Sequence, residues 1–377
     1  KRQIYSGVNA ADTMPGFDNK NRTNGTPLVV LIPNLDRHFE HIEQYQVTNR
    51  TPRPGHASFA SYAKYGRNDD AIGAGFFSGR YTATIVAAGT VAKKILAMHG
   101  INVFAYVKEA AGIAAPEVAY DQVREKGELY RKMRRDNDPV FELVFKSGRI
   151  NSEMRFLDKI AVLAEVEKMV PDIKWKPIDV EALRASGIHP LINTPDLEAA
   201  DAMYERIIAI KDDGDSSGGL VEVVATGIPA GMGEPVFRKL EGELGRMMSI
   251  GCVKAVEVGA GYAVKDMTGS QNNDQMRVKD GKVVFTSNNN GGITGGLTTG
   301  QPIVARLAVK PTPTIAKPQL TVDKVSIENA ELAAVTRRDP TIVSRVWPVA
   351  EAFTAIVLCD HLFMHLGYRA FAAGSID

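Results

Sequence analysis

Two short stretches carry side chains suited to proton and phosphate chemistry. In Arg53-Pro54-Gly55-His56 an imidazole follows a rigid proline-glycine turn, with a guanidinium directly before that turn. Histidine titrates near neutrality, so one held in a stiff loop can serve as general acid or base, although a lone loop histidine is commonly just a surface residue. In Arg337-Arg338-Asp339-Pro340 two guanidinium groups stand beside one carboxylate ahead of a helix. Such a set can clamp phosphate and lower the aspartate pKa, and it can equally be an ordinary ion pair capping the helix, the reading that the tetrapeptide alone favours. Cys359-Asp360-His361 with His365 places two histidines at i and i+4. Without an HExxH glutamate or a third ligand this spacing reads as helix packing, and no metal is expected. The Gly-x-Ser-x-Gly elbow of hydrolases is absent.

Ligand-holding backbone is suggested elsewhere. Ser287 to Gln301 packs five glycines and three asparagines into fifteen positions. Glycines there permit positive φ and bare N–H groups, so the stretch is expected to cradle an anion. An apolar run, Pro302 to Val309, should follow as a buried strand, and Lys310-Pro311-Thr312-Pro313-Thr314 stops it rigidly beside the loop with a cation at its start. Gly73-Ala74-Gly75-Phe76-Phe77-Ser78-Gly79-Arg80 is a second anion-friendly place, a small-residue loop feeding a helix.

The elements that must position these residues alternate between strand and helix. Ile4 to Val8 and Pro27 to Ile32 read as paired strands, and Ile85, Ala88, Val91, Ala92, Ile95 and Leu96 recur at helical spacing. Ile101 to Val107, Leu220 to Ala225 and Val253 to Val258 read as strands. Thr194-Pro195-Asp196 predicts a helix start with Ala200, Met203, Ile207 and Ile210 on one face, Pro235 predicts another, and the last long helix is expected over Pro348 to His365. Residues 120–188 alternate acidic and basic stretches with an amphipathic segment, the texture of an inserted, mostly helical appendage with solvated faces. Interleaved acids argue against a nucleic-acid patch at Arg131 to Arg135.

With 377 residues, 44 % apolar and 24 % charged, the chain has the composition of a globular protein. Its 45 basic and 44 acidic residues make no global field that would recruit nucleic acid or an anionic membrane. No bilayer-spanning run is apparent, and two cysteines give no disulfide framework, which fits a cytoplasmic setting. Neither the strand-GxGxxG-helix fingerprint nor GxxxxGK[ST] occurs, so no nucleotide site of those kinds is expected.

Taken together, Arg53-Pro54-Gly55-His56-Ala57, Gly214-Asp215-Ser216-Ser217-Gly218-Gly219, Gly233-Glu234-Pro235-Val236-Phe237-Arg238-Lys239-Leu240, Met247-Met248-Ser249-Ile250, Asn289-Asn290-Gly291-Gly292 and Lys310-Pro311-Thr312-Pro313 resemble chorismate synthase. Six motifs in family order make the resemblance specific, from Lys1 to about Gly112 and from His189 to about Leu366. It implies an α+β fold, a β-α-β sandwich with antiparallel sheets packed around central helices, as one catalytic domain over 1–377 that carries the 120–188 insertion and assembles as a homotetramer. It implies a lyase of the shikimate pathway and aromatic amino acid biosynthesis, which converts 5-enolpyruvylshikimate 3-phosphate to chorismate by 1,4-anti elimination of phosphate. Reduced FMN is required without net redox change.

By the same resemblance His56, Asp339 and Ser78 are catalytic. Phe76, Phe77, Ser78, Gly251, Cys252, Gly295, Lys310, Pro311, Thr312, Pro313, Thr314 and Arg337 contact FMN, and Arg53, Arg80 and Arg337 bind substrate. Residues 120–188 are too short for an NADPH-dependent reductase module, so an external flavin reductant is expected. The sequence departs from the pattern in three places. The family's opening Gly-Glu-Ser-His-Gly segment is not in this chain, Phe76-Phe77-Ser78 replaces the commoner Arg-Ser-Ser, and Arg338 replaces a histidine. A chain lacking that first histidine is expected to bind FMN yet turn over poorly, so a non-catalytic FMN- or phosphate-binding homologue is the alternative.

Overall fold

The structure is a computed structural model, and it describes residues 3–6, 26–32, 50–69, 77–132, 189, 191–334 and 339–373. Its strands in chain order are β1 (Gln3–Ser6), β2 (Val29–Leu31), β3 (Asn102–Ala110), β4 (Ile113–Ala114), β5 (Gly219–Thr226), β6 (Val253–Val258), β7 (Met276–Lys279), β8 (Lys282–Phe285), β9 (Ile293–Thr294), β10 (Leu297–Thr298), β11 (Ile303–Val309), β12 (Gln319–Asp323) and β13 (Glu328–Leu332). The helices are α1 (Ser58–Tyr65), α2 (Thr82–Met98), α3 (residues 120–132), α4 (Leu197–Asp212), α5 (Leu240–Gly245), α6 (Gly269–Asn272) and α7 (Val343–Ala373). Two compact units divide the chain: Lys1–Val91 with Gln319–Leu332, and Ala92–Pro318 with Ala333–Asp377.

The larger unit is built on an antiparallel sheet in the order β4-β3-β5-β11-β6. Its central strands are runs of β-branched and small residues, and Val221, Val223, Val224, Ala225, Val304, Ala305 and Leu307 are all buried. Burial of such side chains on both faces of the middle strands contributes about 1.5–3 kcal/mol for each large one. Helix α7 packs on β3 and β5. Phe104, Tyr106 and Val224 form a cluster with Val123 of α3. Tyr130 of α3 meets Trp347 of α7 edge-on, ring centroids 5.9 Å apart. The first turns of the 120–188 segment thus supply core side chains, while residues 133–188 lie outside the described residues.

Among the described residues, Lys108, Glu222 and Glu351 are charged groups buried inside this layering, and each is paired, as burial of charge demands. Glu351 of α7 accepts the Ala105 N–H at 2.8 Å, pairs with Arg131 at 3.2 Å and also binds Lys93, so one carboxylate ties α7 to α2, α3 and β3. Glu222, fully buried on β5, takes the Tyr106 hydroxyl and the Arg306 Nε–H, the latter at 2.6 Å. Tyr106, Glu222, Arg306 and Glu257 lie in one cross-strand row. Arg306 closes the row by donating to the Gly259 carbonyl at 2.7 Å.

Several boundaries differ from the sequence expectation. The N-cap of α4 is Asp196, whose carboxylate accepts the Ala199 N–H at 2.8 Å, so the helix starts beyond Thr194-Pro195. Pro235 opens no helix. Residues 234–238 make a turn closed by a Glu234–Arg238 bridge, with Val236 71 % exposed, and α5 begins at Leu240. Helix α7 starts five residues before Pro348, because Val343, Val346 and Trp347 already bury and Thr341 Oγ1 receives the Val343 N–H at 3.3 Å. At 31 residues α7 is long and apolar enough to cross a membrane by length and composition, contrary to the sequence expectation, but it is the core helix of this unit.

In the smaller unit β1 pairs with β2 and β12 with β13. The hairpin β12–β13 anchors the chain before α1. Thr321 donates to the Pro52 carbonyl at 2.5 Å, and the Lys324 N–H donates to the Arg50 carbonyl at 3.1 Å. Lys324 Nζ, itself buried, lies 3.3 Å from the buried Asp69 carboxylate and 4.5 Å from the Tyr62 ring centroid.

Candidate active site

The residues expected to do chemistry fall in both units. In the smaller unit, the turn at Gly55, with φ 72, returns the chain so that the His56 N–H donates to the Arg53 carbonyl at 3.2 Å. The imidazole Nδ1 accepts the Ser58 N–H at 3.2 Å. Arg53 Nη2 lies 3.3 and 3.1 Å from the two ring nitrogens. Arg53 and His56 are therefore one cluster, on a loop held by the β12–β13 hairpin. Ser78 is the N-cap of a short turn of helix, Gly79–Tyr81, accepting the Arg80 N–H at 3.3 Å, and this turn leads into α2. Phe77 and Arg80 are exposed beside it, and Phe76 lies outside the described residues.

In the larger unit the end of β11 gathers the other candidates. The Lys310 N–H donates to the Cys252 carbonyl at 2.9 Å, fixing the strand end against the turn that enters β6. Cys252 itself has φ 71, an uncommon conformation for a residue with a side chain. Burial pushes its thiol up, while the ammonium groups of Lys310 and Lys254 pull the other way. Thr312 Oγ1 donates to the Asp339 carbonyl at 2.6 Å. The Asp339 carboxylate is paired with Arg345, one turn into α7, at 3.2 Å. Its guanidinium partner among the described residues is thus Arg345, while Arg337 and Arg338 lie outside them.

The residue types of Gly214 to Gly219 assign the segment no chemical task, and the structure supplies a positional one. Ser216 Oγ donates to the Thr312 carbonyl at 2.7 Å, and the Ser217 N–H donates to the Pro340 carbonyl at 2.8 Å. The close approach needs glycine: a Cβ on Gly218 would stand 2.4 Å from the Val309 carbonyl oxygen. Lys317, further along, binds both Asp213 and Asp215, at 2.6 and 3.0 Å. Two adjacent serines before a double glycine and a strand were the available signal, a loop whose backbone must touch its neighbour.

The glycine-rich stretch behaves differently from the expected anion cradle. Two of its N–H groups, those of Asn289 and Asn290, are filled by the protein's own carboxylate. Asp274 accepts the Asn289 N–H at 2.7 Å, the Asn290 N–H at 2.9 Å and the Ser287 hydroxyl at 2.6 Å. Asn288 Oδ1 takes the Gly292 N–H at 2.7 Å. Burial works against a charge on Asp274, but the Ser287 hydroxyl and the Asn290 and Asn289 N–H groups outweigh it and hold the carboxyl below its ordinary range. Gly295 is placed separately, in the β9–β10 hairpin, where Gly233 packs against the Gly296 carbonyl. Positions 251 and 295 show open backbone, with nothing within 4 Å of where a Cβ would be.

No group of three or more His, Cys, Asp or Glu side chains suited to a metal occurs among the described residues. His361 is buried, and burial, then the Arg238 guanidinium, hold its pKa down.

Comparison with known proteins places the chain among relatives of one family. A sequence profile of the family described as chorismate synthase matches residues 6–363. A chorismate synthase of Acetivibrio thermocellus is 38 % identical over 377 residues, covering 99 % of this chain and 78 % of the relative. One of Methanosarcina mazei is 38 % identical over 342 residues, covering 90 % and 76 %. A crystal structure of a chorismate synthase shares the α+β fold, with TM-score 0.61 and 24 % identity over 97 % of this chain and 79 % of that one. The chain belongs to the chorismate synthase family.

Proposed function

We propose that the protein is a lyase that eliminates phosphate from 5-enolpyruvylshikimate 3-phosphate in a 1,4-anti sense to give chorismate, with reduced FMN bound and no net redox change. The observation that carries this reading, beside family membership, is the joining of Cys252, Lys310, Thr312 and Asp339 at one strand end by hydrogen bonds of 2.9 and 2.6 Å. The residues present fit a flavin phosphate: open backbone at Gly251 and Gly295 permits close approach, and Lys310 brings a cation to the end of β11. Gly251, Cys252, Gly295, the 310–314 segment, Phe76, Phe77, Ser78 and Arg337 would hold the cofactor. When bound, reduced flavin supplies the electron-rich partner that protein side chains lack for expelling phosphate from an unactivated carbon.

The chain's own residues have separable tasks. Arg53, Arg80 and Arg337 bind the substrate's phosphate and carboxylates, where bidentate guanidinium contacts are strongest. His56, held at Nδ1 by the Ser58 N–H, handles a proton beside the flavin. Asp339, paired with Arg345, assists removal of the substrate proton. The reductant comes from outside, by an external flavin reductase. We place the protein in the cytoplasm as a homotetramer, in keeping with two free thiols, Cys252 and Cys359, and with the family resemblance.

The test is to mix the full-length protein anaerobically with reduced FMN and 5-enolpyruvylshikimate 3-phosphate. Chorismate and phosphate should appear together in equal amounts. Release of neither rejects the reading.

A further inference from the structure

Ser217 is 6 % exposed, and its Oγ is buried without a hydrogen-bond partner among the described residues. The polar groups of its loop and of the segments bonded to that loop are engaged. Its own N–H is fixed on the Pro340 carbonyl at 2.8 Å, the Ser216 hydroxyl on the Thr312 carbonyl at 2.7 Å, and the Thr312 hydroxyl on the Asp339 carbonyl at 2.6 Å. The nearby carboxylates are matched with cations, Asp215 with Lys317 and Asp339 with Arg345. Native proteins rarely bury a hydroxyl that neither gives nor receives a hydrogen bond, and such a group calls for a partner that is not part of the chain. Thr194 Oγ1 and both ring nitrogens of His361 are also buried without partners. Ser217 differs in its position, since its loop bonds to both the 310–314 segment and Pro340.

We infer that Ser217 is a ligand-binding residue of this site, its hydroxyl donating to an oxygen of a bound phosphate ester. The inference rests on the proposed function, which brings two phosphate monoesters to the site, one on the flavin and one on the substrate. A hydroxyl donating to a charged oxygen makes a short, strong bond, and Lys310 on the adjoining strand end favours an anion there. The backbone of Ser217 is pinned, so rotation of χ1 from one staggered well to another re-aims Oγ without disturbing the fold. In the ligand-free chain the hydroxyl contributes nothing that alanine would lose.

Ser217→Ala separates binding from structure. The ligand-free variant should melt at the wild-type temperature or above it, whereas Ser216→Ala, which removes the bond to Thr312, should melt lower. Affinity for one phosphate ester should fall about tenfold in Ser217→Ala, equivalent to about 1.4 kcal/mol. If the partner is the flavin phosphate, reduced FMN binds about tenfold more weakly while riboflavin binds both proteins alike. If it is the substrate phosphate, KM for 5-enolpyruvylshikimate 3-phosphate rises about tenfold with FMN affinity intact. A variant that keeps both wild-type values overturns the inference, and so does one whose ligand-free form melts as low as Ser216→Ala. Wild-type protein that binds neither FMN nor substrate overturns the proposed function and this inference with it.

Discussion

At the scale of single residues, the candidate site is a set of side chains whose unreacted ends are tied back to the chain. His56 is the clearest case: Nδ1 accepts the Ser58 N–H, and Nε2 lies 3.1 Å from the Arg53 guanidinium. His56→Ala should lower turnover by at least about 100-fold, the ordinary size of a general acid–base contribution, while reduced-FMN affinity stays near wild type. A wild-type rate in that variant removes His56 from the mechanism. Asp274 works in the opposite way, as an internal anion that organises a loop. Its loss in Asp274→Ala frees the Asn289 and Asn290 N–H groups and the Ser287 hydroxyl, and a drop in stability of about 2 kcal/mol in urea unfolding is expected, with Asp274→Asn intermediate. The Ser287 to Gln301 stretch is legible in sequence as a loop of exposed N–H groups; the occupant of the Asn289 and Asn290 N–H groups is not, because the Asp274 carboxylate lies upstream in another loop. The partner of Asp339 was equally hidden, since Arg345 reaches it only through the helix turn that follows Pro340.

At the scale of elements, strands were read well because their chemistry is repetitive. Val221 to Ala225 and Val304 to Val309 are apolar runs of β-branched and small residues, and they bury as the middle of the sheet. Helix starts were read less well. Proline at 195, 235 and 348 marks a permitted first turn in each case, yet Asp196 caps α4, a turn occupies 234–238, and α7 begins at Val343, because capping side chains and burial of Val343 and Trp347 decide the boundary. The Gly214 to Gly219 loop has no sequence pattern of its own beyond small residues, since its role is contact. Gly218→Ala tests that role. The added methyl would meet the Val309 carbonyl oxygen at 2.4 Å and Pro311 Cδ at 3.2 Å, both parts of a rigid strand end. Displacing that end should weaken reduced-FMN binding by about 1–3 kcal/mol, the range that overpacking typically costs, together with a lower melting temperature. A variant with unchanged FMN affinity would show that the 310–314 segment does not hold the cofactor.

At the scale of the whole molecule, stability depends on buried groups that must keep one protonation state. His189 is 2 % exposed, and burial lowers its pKa from 6.5 to about 4. Its Nδ1 accepts the Leu191 and Ile192 N–H groups at 3.2 and 3.1 Å, so the folded chain requires the neutral ring. Facing it are Asp201, whose Oδ1 is 3.5 Å from Nε2, and the Tyr204 ring at 5.4 Å between centroids. Burial raises the Asp201 carboxyl, followed by Glu205, and burial also raises the Tyr204 phenol. For His189 the unfolded chain binds the proton more readily than the folded one. Its contribution is therefore fully present above about pH 6.5 and is lost as pH falls through that value towards 4, a change of about 3 kcal/mol across the window. His361, lowered in the same direction, adds to the same slope. In His189→Asn the amide oxygen can still accept the two N–H groups, but nothing titrates. Urea unfolding of wild type should lose stability between pH 6.5 and pH 4, and the asparagine variant should lose less over the same interval. Equal slopes in the two proteins would show that the ring at 189 is not held neutral by its burial.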